Sequence, residues 1–191
     1  MCYNKSGDIV KYLKLLDGEN SHAGGFSYKI GEVNVANNWN PQVDNPKDFG
    51  GFNFSTEDKI FRWLIRGNVL YDVEIPEDAE IVEVENKNAP HGVFRTNKIL
   101  LKNPRKVDDA LALDLYYKSD LPLNTYFQCL CFLCLKGYTD VCFQILQDKV
   151  NPSNVEQAIQ TFSTFLEVEE KDKNDCYKEI LRQLEEIKNK L

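Results

Sequence analysis

Four cysteines that lie close together in the chain are the first residues whose type and spacing suggest chemistry: Cys129, Cys131, Cys134 and Cys142. Thiolates at such spacing are typical ligands of zinc. Residues two apart on a helix, however, project about 200° apart. If this apolar segment is helical, Cys129 and Cys131 cannot face the same ion. We therefore expect buried thiols that pack as small apolar side chains, and no metal site.

The two histidines of the chain, His22 and His91, both lie in glycine-containing turns. Neither has cysteines or carboxylates at the spacing of metal ligands, which predicts histidines in surface loops; a shared pH-sensitive site is the alternative. The chain also lacks the signatures of a nucleophile elbow, a phosphate loop, a metal-binding histidine pair and a dinucleotide-binding glycine motif. The residue pattern alone therefore identifies no catalytic centre.

The elements that would position these residues change in character along the chain. Nine of the ten glycines and most alternating apolar runs precede residue 102, whereas long helical patterns follow Pro104. This predicts an α+β fold in two domains. The first, over residues 1–104, would hold a small twisted sheet, antiparallel or mixed, with a flanking helix. The second, over residues 105–191, would be an all-α domain of helical hairpins.

Short alternating apolar runs predict strands in the first domain, while segment 9–16 fits either a helix or a strand. The segment 34–47, rich in asparagine and proline, is typical of an exposed loop. Ser55 is expected to cap a short helix whose apolar face includes Ile60 and Leu64. The predicted strands cover residues 26–30, 50–54, 69–75, 81–84 and 98–101.

Helical spacing of apolar residues predicts five helices in the second domain. Each helix is short, so its stability must come from packing against its neighbours. The last helix carries one apolar stripe from Ile180 to Leu191, which could also supply a dimer face. The predicted helices cover residues 107–117, 123–135, 140–149, 155–166 and 175–191.

Gly137 fits the left-handed position that ends a helix, and Thr139 or Asp140 can cap the helix that follows. The apolar residues after the turn would face back onto the preceding helix. With its Gly-Tyr turn and its Val-Cys-x-x-Ile-Leu helix, this segment resembles the middle of an ankyrin repeat. It departs from that family because Leu-Asn-Thr-Tyr, at 123–126, stands where the Thr-Pro-Leu-His opening is expected.

A second resemblance covers most of the first domain. Its pieces, in order, are His22, Gly-Phe-x-Tyr at 25–28, Gly-Gly-Phe-x-Phe at 50–54, Val-x-Ile-Pro at 73–76 and Arg-Thr-Asn-Lys-Ile at 95–99. They resemble the N-terminal domain of ankyrin-repeat proteins of giant viruses of the mimivirus type, and they are similar to small phage domains. The resemblance implies a viral protein in the host cytoplasm or the virion, with an ankyrin-like, protein-binding second domain.

The strand at 50–54, which leads into Ser55, is also similar to the Gly-Gly strand of ADP-ribosyltransferase folds. That similarity implies NAD as the cofactor, with His22 holding a ribose hydroxyl and Ser55 ordering the nicotinamide pocket. Glu74 or Glu83 would stabilise the oxocarbenium charge. The alternative is structural: the glycines permit close approach of two strands, and Ser55 caps a helix.

The charge balance of the chain excludes one class of partner. There are 23 Lys and Arg against 30 Asp and Glu, a net charge of −7. That balance argues against a nucleic-acid binder, which needs a dense basic face. No apolar run reaches the ~20 residues of a membrane span, and the N-terminus shows no secretory signal. The cysteines therefore indicate cytosolic thiols rather than disulfides.

These observations favour a non-enzymatic protein–protein interaction module. Its turn residues Tyr138, Thr139 and Asp140 would contact a host or viral protein. We expect neither a nucleic acid nor a membrane as partner, and no cofactor.

The rival hypothesis is an ADP-ribosyltransferase-like domain that binds NAD. An open pocket lined by His22, Phe52 and Arg95 would favour this enzyme, whereas a filled sheet face would favour the interaction module. The sequence leaves open the identity of the partner and the oligomeric state.

Overall fold

The computed structural model describes residues 10–21, 25–43, 45, 48–85 and 89–190. The chain divides into two compact units. The first comprises Met1–Val107 with Lys118–Asp120, and the second comprises Asp108–Tyr117 with Leu121–Leu191. Strands lie in the first unit and α-helices in the second, so the predicted α+β class is confirmed.

Seven strands form one antiparallel sheet in the first unit. They are β1 (Tyr12–Leu16), β2 (Val33–Val35), β3 (Phe52–Thr56), β4 (Val69–Glu74), β5 (Ile81–Glu83), β6 (Val93–Thr96) and β7 (Lys98–Lys106). Their order across the sheet is β2-β7-β4-β1-β3-β6-β5, which puts β1 at the centre. The strands predicted at 50–54, 69–75, 81–84 and 98–101 are confirmed, and segment 9–16 contains a strand.

One face of this sheet carries the core of the first unit. Its buried side chains come from four strands and from the segment before β2, and they pack together as one cluster. They are Leu16, Tyr28, Phe52, Phe54, Tyr71, Val73, Ile99 and Leu101. Because successive side chains on a strand alternate between faces, this cluster fixes the register of every strand that contributes to it.

The segment predicted as a strand at 26–30 covers this core without joining the sheet as a strand. Tyr28 is buried, and Phe26 and Ile30 pack against the same cluster. The backbone bonds of this segment are local, since the Tyr28 N–H donates to the carbonyl of Glu19. The strand prediction is therefore wrong, because an alternating apolar pattern also suits a segment that lies over a sheet.

Ser55 does not cap a helix. It lies inside β3, where it pairs with Leu13 on one side and Val93 on the other. A 3-10 helix over Ile60–Ile65 follows, and no side-chain cap begins it. The capping prediction is wrong because β3 continues through Thr56 before the chain turns.

Two strands depart from the predicted boundaries. β2 lies at the start of the predicted loop 34–47, and its Asn34 is buried because the side-chain amide bonds the backbone of Lys29. β7 runs past Pro104, where the first domain was expected to end. β2 pairs with β7 only as far as Leu100, so the proline lies where β7 has no ladder partner on that side.

The second unit contains five α-helices, and all five predicted helices are confirmed. They are α1 (Asp109–Tyr117), α2 (Leu123–Leu135), α3 (Thr139–Lys149), α4 (Val155–Thr164) and α5 (Asp175–Lys188). The centre is α2, since α3, α4 and α5 all contact it, and its Phe127, Leu130 and Leu133 are fully buried. No helix in the part of the chain described is long and apolar enough to cross a membrane.

The turn between α2 and α3 has the geometry predicted from Gly137. Its φ is 77°, in the left-handed region that favours glycine. The Tyr138 N–H donates to the Leu133 carbonyl and the Gly137 N–H to the Cys134 carbonyl, so the last carbonyls of α2 are satisfied. The two helices therefore form a hairpin with a tight turn.

The predicted caps of α3 are wrong, since neither Thr139 nor Asp140 caps the helix with its side chain. The carboxylate of Asp109, in the first turn of α1, accepts from the N–H groups of Asp140 at 2.9 Å and of Val141 at 3.3 Å. The start of α3 is thus satisfied by a neighbouring helix rather than by its own sequence.

We expect Asp109→Ala to destabilise the helical unit by about 1 kcal/mol, because two N–H groups at the start of α3 lose their acceptor. Asp109→Asn keeps an acceptor oxygen and should cost less. Asp140→Ala is the matched control, since its carboxylate lies in the same turn without accepting these bonds. Urea denaturation followed by far-ultraviolet circular dichroism measures the midpoints. Equal losses in Asp109→Ala and Asp140→Ala would contradict this account of the cap.

Candidate functional site

β1 and β3 separate part of the way along the sheet. Their pairing ends at Leu13, which lies opposite Ser55. Beyond that point β1 stays paired with β4 as far as Leu16, while β3 stays paired with β6 back to Phe52. The facing edges of β1 and β3 therefore diverge without ladder hydrogen bonds. We refer to this opening as the β1–β3 fork.

Lys14 is the first residue of β1 beyond the last pair, and it is almost completely buried, with 4% of its surface exposed. Its Nζ donates to the backbone carbonyl of Asn53 and to Asn53 Oδ1 at 2.7 Å, and lies 5.3 Å from the centre of the Tyr28 ring. Both acceptors are neutral, so they do not compensate the ammonium charge. Burial, followed by the positive charge of Arg95, lowers the pKa of Lys14 from 10.5 to about 7.

Two adjoining cavities lie along the fork, and we refer to them together as the fork cavity. The larger has a volume of about 610 Å³, within the range of small-molecule sites. The smaller, of about 70 Å³, is lined by Lys14 and Ser55 among others. The residues that line both are Ser21, Asn53, Trp63 and Arg66.

Three cationic side chains line the fork cavity: Lys14, Arg66 and Arg95. No Asp or Glu is found among the described residues that line it. Arg95 donates from Nη1 to the Gly50 carbonyl at 2.8 Å, and burial lowers its pKa, although an arginine stays charged. Arg66 is exposed, with its guanidinium carbon 5.2 Å from the centre of the Trp63 ring. The cavity is therefore a positive region in a chain of net charge −7.

Aromatic rings form part of the wall of the larger cavity. The ring centres of Phe26 and Tyr28 each lie near that of Phe52, at 4.9 and 5.3 Å. Phe26 and Tyr28 meet edge to face at 4.9 Å. The half-buried Trp63 adds an indole to the lining. Such a wall can pack against a flat aromatic group.

Gly50 and Gly51 shape the wall beside Arg95. Both have positive φ, 66° and 69°. A Cβ at Gly50 would lie 1.5 Å from the Asn38 carbonyl oxygen, and one at Gly51 would lie 2.5 Å from that of Thr96. Only glycine fits such close approaches of backbone to backbone. These glycines therefore have a structural role next to the cavity.

The Ser55 hydroxyl, at the end of the fork, is fully buried and has no hydrogen-bond partner among the residues described. A buried hydroxyl left without a partner costs roughly 1–3 kcal/mol. Ser55 lines the same small cavity as Lys14. Its oxygen is therefore available to a molecule that enters the fork.

The structure does not bring the residues of the predicted NAD site together. His22 lies outside the described residues. Ser55 lines the fork cavity, but Glu74 is exposed and its carboxylate pairs with a surface lysine at 2.7 Å. Glu83 is exposed beside His91, with a carboxylate oxygen 3.9 Å from its Nδ1. Neither glutamate lines the fork cavity.

The predicted partner-binding residues differ in their access to solvent. Tyr138 is buried at the turn, with 9% of its surface exposed. Thr139 is half-buried and Asp140 is exposed. A partner at this turn would therefore meet Asp140 first.

In the helical unit, one group of side chains could hold a metal ion. The sulfur atoms of Cys134, Cys142 and Cys176 all lie within 4.8 Å of one another. Cys129 and Cys131, whose divergence on one helix argued against a metal site, are not members of this group. The same argument does not apply to residues that come from three different helices.

The sequence analysis does not identify Lys14 or Arg66. It names Phe52 and Arg95 only as residues that would line an open pocket. Both of these last residues line the cavity. A signal for Lys14 was present, because a lysine between leucines in Tyr-Leu-Lys-Leu-Leu interrupts an otherwise apolar strand. The opening of the fork had no local signal, since it depends on which strands pair.

We expect Lys14 to make the free energy of unfolding of the first unit rise between pH 7 and pH 9. The folded pKa of about 7 lies below the usual 10.5, so in this interval the unfolded chain binds a proton at Lys14 that the folded chain has released. Linkage then stabilises the folded state by up to about 1.4 kcal/mol per pH unit. Trp39 and Trp63 are the only tryptophans, and both lie in the first unit, so their fluorescence measures its unfolding.

Lys14→Met removes the titrating group and keeps a long apolar stem, so it should lack this rise. Lys102→Met, which removes a surface lysine paired with Glu74, is the control and should keep it. The same pH dependence in wild type and Lys14→Met would mean that Lys14 stays charged in the folded chain.

Comparison with models of protein families, with curated proteins and with solved structures finds no match to this chain. The resemblances to a giant-virus domain, to ankyrin repeats and to ADP-ribosyltransferases therefore stay predictions.

Proposed function

We propose that the first unit binds a small anionic ligand with a flat aromatic ring, of the nucleotide class, in the fork cavity. One observation carries this proposal: Lys14, Arg66 and Arg95 converge on a cavity that no described Asp or Glu lines. In a chain with an excess of acidic residues, such uncompensated cations favour an anion from outside.

The three cations differ in a way that suits a phosphate group. Arg66 is exposed and offers a planar guanidinium that can bond two oxygens at once. Lys14 is buried beside the smaller cavity, where its protonated form would act as a point charge. An anion beside it would supply the counter-charge that Asn53 does not. A ligand phosphate would therefore gain a bidentate contact and a desolvated charge contact.

The remaining lining suits the ring of such a ligand. The rings of Phe26, Phe52 and Trp63 can pack against its flat face. The amides of Asn37 and Asn38, which line the same cavity, can donate to and accept from the edge of a base. The volume of about 610 Å³ accommodates a mononucleotide or part of a dinucleotide.

Binding is proposed rather than ADP-ribosyl transfer. That transfer needs a carboxylate close to the reacting carbon to stabilise oxocarbenium charge. Glu74 and Glu83, the predicted candidates, lie outside the cavity lining. NAD is therefore retained as one ligand to test.

We expect ADP or NAD to bind the purified full chain in isothermal titration calorimetry. Adenosine, which lacks the charge, and pyrophosphate, which lacks the ring, should each bind at least about tenfold more weakly. Arg66→Ala should weaken ADP binding about tenfold, because one charge-assisted contact is lost.

Arg105→Ala is the matched control, since Arg105 lies on β7, pairs with Asp72 at 2.6 Å and does not line the cavity. It should bind ADP like the wild type. The proposal fails if neither ADP nor NAD binds with a dissociation constant below about 1 mM, or if Arg66→Ala and Arg105→Ala bind equally well.

For the helical unit, we propose that the hairpin turn contacts a protein partner, host or viral if the resemblance holds. The supporting observation is the exposed Asp140 beside Gly137 at a turn whose backbone is fixed by hydrogen bonds. A rigid turn limits the conformational entropy that a contact would cost.

A photo-crosslinking amino acid at position 140 is expected to capture one reproducible protein that is not captured from position 147. Gln147 is exposed on the same helix but lies away from the turn, which makes it a matched position. Identical crosslinked products from the two positions, or none from position 140, would remove this second candidate.

A further inference from the structure

Three sulfur atoms from three helices meet inside the helical unit. Cys134 lies near the end of α2, Cys142 in the first turn of α3 and Cys176 in the first turn of α5. All three Sγ atoms lie within 4.8 Å of one another, and those of Cys134 and Cys142 are 3.5 Å apart. We refer to these residues as the thiol cluster.

We propose that the thiol cluster binds a thiophilic d¹⁰ cation, Zn²⁺ or Cu⁺. A tetrahedral zinc ion with Zn–S bonds of about 2.3 Å requires sulfur–sulfur separations of about 3.8 Å. The Cys134–Cys142 separation is 3.5 Å and no separation in the cluster exceeds 4.8 Å, so the three sulfurs lie near the spacing that such an ion requires. Three sulfur donors select soft cations over Mg²⁺ or Ca²⁺, which prefer oxygen ligands.

The local electrostatics favour a thiolate in the cluster. Cys176 is the second residue of α5, where the positive end of the helix dipole stabilises negative charge. Hydrogen bonds from the thiols of Cys134 and Cys142, and from the Thr139 hydroxyl, lower the pKa of Cys176. The pKa of Cys142 is raised, by hydrogen bonds with the other two cysteines and by burial.

Binding of Zn²⁺ or Cu⁺ forms three metal–sulfur bonds and releases to solvent every proton that the three thiols still carry.

The three sulfurs are positioned by contacts that do not involve a metal. Asn174, the N-cap of α5, donates from Nδ2 to the Cys134 carbonyl at 2.7 Å. Its Oδ1 accepts from the Tyr177 N–H at 2.9 Å. One side chain therefore ties the start of α5, and with it Cys176, to the end of α2. Such preorganisation lowers the cost of gathering the ligands.

Cys176 is the member of the cluster with partial exposure to solvent. Cys134 and Cys142 are fully buried, whereas Cys176 is half-buried. An ion would enter beside Cys176. A tetrahedral zinc ion would complete its coordination with an oxygen ligand there, from Thr139 or water, while Cu⁺ accepts the three sulfurs alone.

The test uses the full chain with Cys2→Ser, which removes the thiol near the N-terminus from every sample. The protein is purified metal-free under reducing conditions and dialysed against Zn²⁺ or against Cu⁺ in separate arms. Elemental analysis then gives the bound stoichiometry, and circular dichroism checks the fold. Cys176→Ser and Cys142→Ser are the test variants. Cys131→Ala is the matched control, because Cys131 is buried on α2 and lies outside the cluster.

We expect one equivalent of Zn²⁺ or Cu⁺ on the Cys2→Ser chain and on Cys131→Ala, and at least a tenfold loss of affinity in Cys176→Ser. The arm that gives the tighter complex identifies the ion. Less than half an equivalent in both arms, or equal binding by Cys176→Ser and Cys131→Ala, would overturn the proposal.

A second readout remains valid if a variant is poorly folded. In the Cys2→Ser chain, Cys176 should react with an alkylating reagent when metal-free and be protected by the bound ion, with reactivity restored by a chelator. Mass spectrometry locates the modified residue. Unchanged alkylation of Cys176 in the presence of the ion would also overturn the proposal.

Discussion

The buried ammonium group of Lys14 is the constraint on which the arrangement of the first unit depends. β1 and β3 can separate because this side chain bonds the backbone carbonyl of Asn53, which has no β1 partner there. A hydrophobic residue at that position would leave the carbonyl unsatisfied in a buried place. This arrangement places the Lys14 ammonium in a low-dielectric region where its hydrogen-bond acceptors are neutral. Burial of a charge in this way costs free energy. The same side chain is one of the three basic groups that line the fork cavity.

In the helical unit, the constraint is that the backbone N–H and C=O groups at the ends of short helices need hydrogen-bond partners. Asp109 accepts from the start of α3, and Asn174 bonds the end of α2 while it caps α5. Each link joins two helices that are distant in the chain. Helix ends therefore contribute to tertiary structure here. The thiol cluster lies where the end of α2 meets the first turns of α3 and α5.

The helices could be predicted from sequence because each one carries an apolar stripe that is a local property. α2 matches its prediction because an unbroken apolar run from Cys129 to Leu135 leads up to the turn at Gly137. The failures share a physical origin in long-range pairing. The sequence predicts a loop at Asn34, although this residue lies in β2 and pairs with Ile99 of β7. The fork and the approach of Cys176 to Cys134 depend on which elements pack together. No local sequence pattern indicates that packing.

The two ends of the sheet have a consequence for aggregation. Both edge strands, β2 and β5, are three residues long, whereas the nine-residue β7 lies inside the sheet. Val33, Val35 and Ile81 are exposed on these edges, and Glu83 is the one charged residue of the two strands, so charge alone does not prevent another chain from adding to them. The short length of β2 and β5 does prevent it, because an added strand could form only a few backbone hydrogen bonds with a three-residue edge strand. The sheet therefore resists growth into a larger assembly through strand length rather than through repulsion.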